Sequence, residues 1–235
     1  MDAPISLRWG YGVFGTPFMK FTLTYEGSLP SSGNKPRPEV KWAIRKALHP
    51  QLKDLWTSHP ALRTVEDNRH FPKIGGATLT QVHHQHGGAV LPVRTSNFGA
   101  AQEFLDLCAP IDKHGAWFRP LVRETYALHC GLEILFLRKE QPGKVYQGGD
   151  LDGRIKTIID SLTMPQHAEQ VTERASTKAD PIYCLMEDDS LVSGVHVESE
   201  RLLTDQNHAK DYVKLVIEVD VRVRQATIYN QSFLG

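Results

Sequence analysis

Residues 148–162, GGDLDGRIKTIIDSL, gather acidic, basic and apolar side chains at regular intervals. Asp150 and Asp152 stand one residue apart, and Lys156 and Asp160 follow Asp152 in steps of four. On a helix Asp152, Lys156 and Asp160 share one face. Ile155, Ile158 or Ile159, and Leu162 make an apolar face on the other side. A second acidic cluster, Glu187-Asp188-Asp189, lies beside Leu191 and Val192. Carboxylates concentrated in this way repel one another. A hard divalent cation such as Mg²⁺, which takes carboxylate oxygens and keeps several waters, offsets that repulsion. A single aspartate before a helix is explained by N-capping or by the helix dipole. That account covers one of the pair; it leaves the other, the lysine and the later cluster unexplained. A calcium loop of the EF-hand type is excluded, because the fifth and twelfth places from Asp150 hold Arg154 and Ser161 rather than an acid and a glutamate.

These residues need elements to hold them. Residues 132–137 read as a strand, 141–149 as a glycine-containing loop that delivers the acidic pair, and the motif itself as the helix that follows. Residues 164–181 carry no apolar period and read as an insertion. Short strands are expected at 182–186 and 191–197, flanking the second cluster. Residues 213–223 alternate: Val213, Leu215, Ile217, Val219, Val221 and Val223 face one way, with Lys214, Glu218, Asp220 and Arg222 on the other. Upstream, 21–25 alternates as a strand would, and 28–34 is a turn. Residues 36–56 predict an amphipathic helix with Val40, Ile44 and Leu48 on its apolar face, ended or kinked by Pro50. Lys35, Arg37, Lys41, Arg45 and Lys46 make this the most basic part of the chain. They form either a solvated face or a groove wall for phosphates; Trp42 and Trp56 are read as core. Residues 57–75 look irregular. Residues 78–95 suggest strands around Gly87-Gly88, with His83, His84 and His86 at an exposed tip and no cysteine near enough for a zinc site. Residues 99–108 fit a short helix with Phe104, Leu105 and Cys108 inward. Gly10, Gly12 and Gly15 match a dinucleotide fingerprint in spacing only, since no strand precedes them and Pro17 follows.

GDLDGRIKTIIDSL followed by EDDSLV resembles the signature of the RusA-type Holliday junction resolvases, DLDN-x-x-K-x-x-x-D-x-L and then DD-x-Q-V. Aligned on it, Asp150 and Asp152 take the places of its first two acids, Lys156 that of its lysine, Asp160 that of its helical aspartate, and Asp188 and Asp189 those of its late pair. Gly153 stands where the family has asparagine and Leu191 where it has glutamine, and the chain is longer than is usual for the family. The resemblance is specific over 132–162 and 185–197, weak over 21–34 and absent elsewhere. It implies a single α/β domain, a small mixed sheet with packed helices, enlarged by an N-terminal extension (about 1–20) and insertions (about 57–115 and 164–181). It also implies a homodimeric endonuclease that cuts branched DNA with Mg²⁺, with Mn²⁺ as a substitute, in recombination and repair. Asp150, Asp152 and Asp189 are the expected metal ligands, converging from a helix start and an adjacent strand. Lys156 is expected near the scissile phosphate, with Asp160 and Asp188 outside the ligand shell, orienting it.

Composition agrees with a soluble globular chain: 235 residues, 40% apolar and 23% charged. Lys plus Arg and Asp plus Glu both number 27, so the net charge is zero. That excludes a uniformly cationic coat but not a local phosphate-binding patch. No apolar run is long enough to span a membrane, and the first twenty residues lack a signal-peptide pattern, so a cytoplasmic location is expected. Cys108, Cys130 and Cys184 are odd in number and widely spaced, which fits reduced thiols. Besides the nuclease, a nucleic-acid-binding or partner-binding module that keeps the fold without the chemistry is the alternative, with Gly153 and Leu191 in its favour. A glycoside hydrolase would need carboxyls roughly 5–9 Å apart across a bond, and Asp150 and Asp152 are too close in sequence for that.

Overall fold

The computed structural model describes residues 19–30, 37–72, 104–139, 150–173, 176–204, 206–227, 229–230 and 233. The expected 78–95 hairpin with its histidines, the 141–149 loop, Lys35 and the N-terminal extension lie outside the described residues. In chain order the elements are β1 (Met19–Ser28), α1 (Pro38–Ser58), α2 (Pro60–Asp67), β2 (His70–Pro72), β3 (Phe104–Asp106), β4 (Ile111–Lys113), β5 (Ala116–Val122), β6 (Leu128–Arg138), α3 (Asp150–Leu162), β7 (Ile182–Met186), β8 (Val192–Arg201) and β9 (Tyr212–Val223). The fold is mixed α/β.

The larger sheet has the order β1-β9-β6-β8. β9 pairs antiparallel with both β1 and β6, while β6 and β8 are parallel. The alternation of 213–223 sets its inner face: all six of the aliphatic residues on that side are buried. At about 1.5–3 kcal/mol for each such side chain, this row alone commits β9 to the centre of the sheet. A smaller sheet, β4-β5-β7, pairs β5 and β7 in parallel. Helix α1 packs on β1, β7 and α3, and buries Trp42, Ile44, Leu48, Leu52 and Trp56. Both tryptophans are therefore core residues, as read.

Three local expectations are corrected. Of the two outcomes expected at Pro50, ending is ruled out, since α1 runs on to Ser58; the packing of Leu52 and Trp56 beyond it outweighs the backbone hydrogen bond that proline removes. Of the residues expected to be irregular, 57–72 are described and are largely regular: Pro60 opens α2, whose Leu62 and Val65, three apart, are buried, and β2 follows. Residues 104–106 form β3, not a helix, because they pair with β2 and Arg69 makes two hydrogen bonds to Asp106, at 2.9 and 2.5 Å. Between β5 and β6 the chain passes through a 3-10 turn, Glu124–Tyr126, and the expected strand at 132–137 is part of β6.

Arg45 of α1 is buried. Its Nε and Nη2 donate to Thr163 O at 3.1 and 2.9 Å, and Nη2 donates to Asp160 O at 2.9 Å. The cation thus sits on the carbonyls left open at the C-terminal end of α3, where the helix dipole favours positive charge. Burial pushes its pKa down to about 10, so it stays charged at neutral pH. Arg45→Met should leave those carbonyls unsatisfied and lower unfolding free energy by about 2–3 kcal/mol, read as a fall in urea midpoint with an unchanged m-value.

His49 ties α1 to the smaller sheet by accepting the Tyr183 N–H at Nδ1, 2.9 Å away. Burial, then the nearby Lys53, holds its pKa below the ordinary value. The unfolded chain therefore takes this proton first. The stability it contributes is complete above about pH 6.5 and is lost as pH falls from there towards the folded value. The urea midpoint should fall between pH 7 and 5, with a shallower slope in His49→Gln than in wild type.

Candidate active site

Helix α3 forms where the motif predicts it. Ile158 and Leu162 are buried in the main core, with Leu151 and Ile159 packed against it, while Asp152 and Lys156 are exposed. The side-chain hydroxyl of Thr157 donates to Gly153 O at 2.8 Å, and that of Ser161 to Thr157 O at 2.6 Å, each four residues back along the helix. The shared charged face is divided in its use. Asp160 does not turn to Lys156; its carboxylate pairs with Lys41 of α1 at 2.6 Å. Asp160 and Arg45 together fasten α3 to α1.

The second acidic cluster lies where two chain segments break side by side. β5 passes to β6 through Glu124–Tyr126, and β7 passes to β8 through the 3-10 turn Asp189–Leu191. The parallel pairings β5–β7 and β6–β8 continue past the break, bridged by Glu187 N donating to Val122 O at 3.0 Å. The Glu124 N–H donates to the Glu187 carboxylate at 3.3 Å, and Arg224 pairs with Glu124. Asp188 caps the turn, accepting the Ser190 N–H at 3.0 Å. Hydrogen bonding from Ser190 holds the Asp188 carboxyl below the usual carboxylate range. Asp189 and Ser190 are exposed. A hollow of about 320 Å³ opens here, lined by Lys113, Glu124, Gln166, Glu187, Asp188, Ser190 and Leu191.

The two acidic elements are held at opposite ends of α3. Met164 N donates to Met186 O at 3.1 Å, so the C-terminal end of the helix meets β7 at the break. With a rise of about 1.5 Å per residue, Asp152 lies on the order of 16 Å along the axis from Thr163. Among the described residues, no three His, Cys, Asp or Glu side chains converge as a metal site requires. Asp152, Asp188 and Asp189 are therefore not brought together within one chain; the Asp150 side chain lies outside the described residues. The donor set is all carboxylate oxygen, which suits Mg²⁺ in type.

No protein-family model, no curated protein and no solved structure matches this chain. The geometry has to carry the reading alone. Sequence reasoning missed Glu124, Lys113 and Gln166 at the hollow. They are distant in sequence from Asp188: the parallel β5–β7 pair brings Glu124, the antiparallel β4–β5 pair Lys113, and the Met164–Met186 hydrogen bond Gln166. The basic segment also needs correction. Arg45 is buried, with Nε and Nη2 donating to carbonyls, so it does not present its charge to a phosphate at the surface. Lys41 is 13% exposed and paired with Asp160; Lys46 is 56% exposed and paired with Glu173 at 2.9 Å. Arg37 flanks the start of α1, half-buried. A second hollow, about 350 Å³, lies on the outer face of the larger sheet over Gly131 and Gly194. Its Asp220 is held by Lys20 at 3.4 Å and Arg222 at 3.2 Å.

The adjacent aspartates at the break differ in what they hold. Asp188→Ala should cost about 1 kcal/mol, the usual loss when an N-cap is removed. Asp189→Ala, at an exposed position, should stay within about 0.5 kcal/mol of wild type. Equilibrium urea unfolding of both variants reads the difference.

Proposed function

We propose that the chain is a Mg²⁺-dependent endodeoxyribonuclease that hydrolyses phosphodiester bonds in branched DNA, in the manner of the RusA-type resolvases, as a two-fold homodimer. The observation that carries this reading is the division of labour within the motif. Its apolar residues Ile158, Leu162 and Leu191 are core, while Asp152, Lys156 and Asp189 are exposed. Charges that the packing does not employ, at the spacing of a metal-and-phosphate motif, are what a phosphodiester hydrolase needs.

Asp150, Asp152 and Asp189 would hold the cation, which when bound supplies an activated water and neutralises charge on the reacting phosphate. Lys156, one turn into α3, presents an ammonium to the phosphate oxygens and so favours the more highly charged transition state. Asp188 keeps the turn that carries Asp189 in shape. The separation of the carboxylates along α3 supports a site assembled between two copies, with Asp150 and Asp152 from one chain and Asp189 from the other. A two-fold dimer makes two such sites, matching the two symmetry-related incisions of a four-way junction.

The same separation favours a second reading, a binding module on this fold without cleavage. Four-way junctions, flaps, duplexes and single strands incubated with Mg²⁺, Mn²⁺ or EDTA decide between the two. Cleavage of branched DNA that EDTA abolishes is expected. Asp152→Asn and Asp189→Asn should each lower it by more than the roughly 10–100-fold typical of residues outside the ligand shell. Mixing the two inactive variants should restore nicking, because a shared site leaves one intact set in each mixed dimer. Full activity in both variants would sink the assignment; a mixture as inactive as its components would place each site within one chain.

A further inference from the structure

The larger sheet has two edges, and the chain treats them differently. The edge at β1 is closed by a side chain: Gln51 of α1 accepts the Thr24 N–H at 2.9 Å and donates to Thr24 O at 2.8 Å. Backbone groups there have no vacancy for another strand. The edge at β8 carries no such plug among the described residues. The ladder to β6 is irregular between Cys130 and Gly131 and regular from Gly194 onward. From there to Arg201 β8 has neither proline nor lysine, and its charges are Glu198, Glu200 and Arg201. The exposed large hydrophobic residues Val195, at 41%, and Leu203, at 84%, lie on β8 or just beyond it.

We propose that the free edge of β8 is a self-association surface, and that its occupant is the β8 strand of a second copy of this chain, paired antiparallel about Val197. The side-chain pattern selects both partner and register. His196 and Glu198 flank Val197, are both 67% exposed, and stand 3.3 Å apart, Nε2 to Oε1, within one chain. With Val197 on the two-fold axis, each His196 stands opposite the second copy's Glu198, twice over. Centring on Glu198 or Ser199 would instead set carboxylate against carboxylate, which is unfavourable for residues directly opposite. The paired strands would make one continuous sheet of eight strands, an isologous interface in which the same residues serve on both sides. Antiparallel pairing also turns the copies end for end. The Ser193 end of β8, beside the break that carries Asp189, comes to lie next to the second copy's Arg201. Arg201 is level with Arg138, from which the chain leads on to Asp150. The surface stands on the strand edge alone; its bearing on a shared carboxylate site rests on the nuclease reading.

The test is sedimentation of the full chain across a concentration series without DNA or metal. Wild type should be a dimer. His196→Glu and Glu198→Lys, both at exposed positions, should each raise the dimer dissociation constant at least about tenfold without changing the far-UV circular dichroism. An equimolar mixture should recover dimers, because Glu at 196 then faces Lys at 198, and native mass spectrometry should find them mixed. A monomeric wild type, variants that dimerise as wild type does, or a mixture that stays monomeric would overturn the surface. An inactive protein that passes these tests would remove the nuclease and leave the surface standing. An active one whose variants sediment like wild type would do the reverse.

Discussion

Two parallel strand pairs that break at the same level fix the position of almost everything else in this fold. β5 and β7 leave the smaller sheet together and re-enter the larger one as β6 and β8. Parallel pairing needs long connections, so the register is set by long-range contacts rather than by a hairpin. The break has its own supports. Ala127 closes the first turn with φ at +49°, a left-handed conformation that costs a non-glycine residue about 1 kcal/mol. Its N–H bonds Glu124 O at 2.8 Å, its carbonyl accepts from Arg224 N at 2.8 Å, and buried Asn230 donates to Tyr126 O at 2.8 Å. The strain is held because hydrogen bonds from the end of β9 and from residues beyond it surround it. Helix α3 is then located by its C-terminal end against Met186 and by Leu151, Ile158 and Leu162 against the core.

The charges follow from that placement. A basic helix in a chain of zero net charge invites a phosphate reading, yet two of its cations face inward to the end of α3. Arg45 neutralises the open carbonyls and Lys41 the Asp160 carboxylate. An amphipathic helix with cations three to five positions apart can turn them to solvent or to a neighbouring helix terminus, and periodicity is blind to which. Within the motif Lys156 is exposed, and Lys113 of β4 lines the hollow beside Asp188.

Much of the larger sheet was legible because its signals are local. The alternation of Val213 to Val223 gives one buried face on its own, and the spacing of Ile158 and Leu162 gives the buried side of α3. What was not legible depends on partners far away in sequence. Residues 104–106 are a strand only because 70–72 lie beside them. Within residues 121–137 only 132–137 reads as a strand, and nothing nearby in sequence says that a second segment will break next to Glu124–Tyr126. Glu124 enters the acidic hollow for the same reason. The site was half legible: the residue types and their exposure followed from the motif, whereas their convergence did not, since spacing along a helix says nothing of which end meets the next strand.

The two departures from the resolvase signature can be judged on packing. Leu191 is 5% exposed and belongs to the main core. It closes a short turn whose outer side carries Asp188 and Asp189. A glutamine at that buried position would need partners for its amide, whereas leucine needs none and gains apolar burial. The exchange strengthens the inner side of the turn and leaves its acidic outer side unaltered. Gly153 lies in the first turn of α3, where its carbonyl accepts the Thr157 hydroxyl. Glycine there weakens the helix by about 1 kcal/mol relative to alanine, at the end that Arg45 does not hold. Leu151, packed against the main core, holds this turn from its inner side, and Asp152 is left exposed on the outer side.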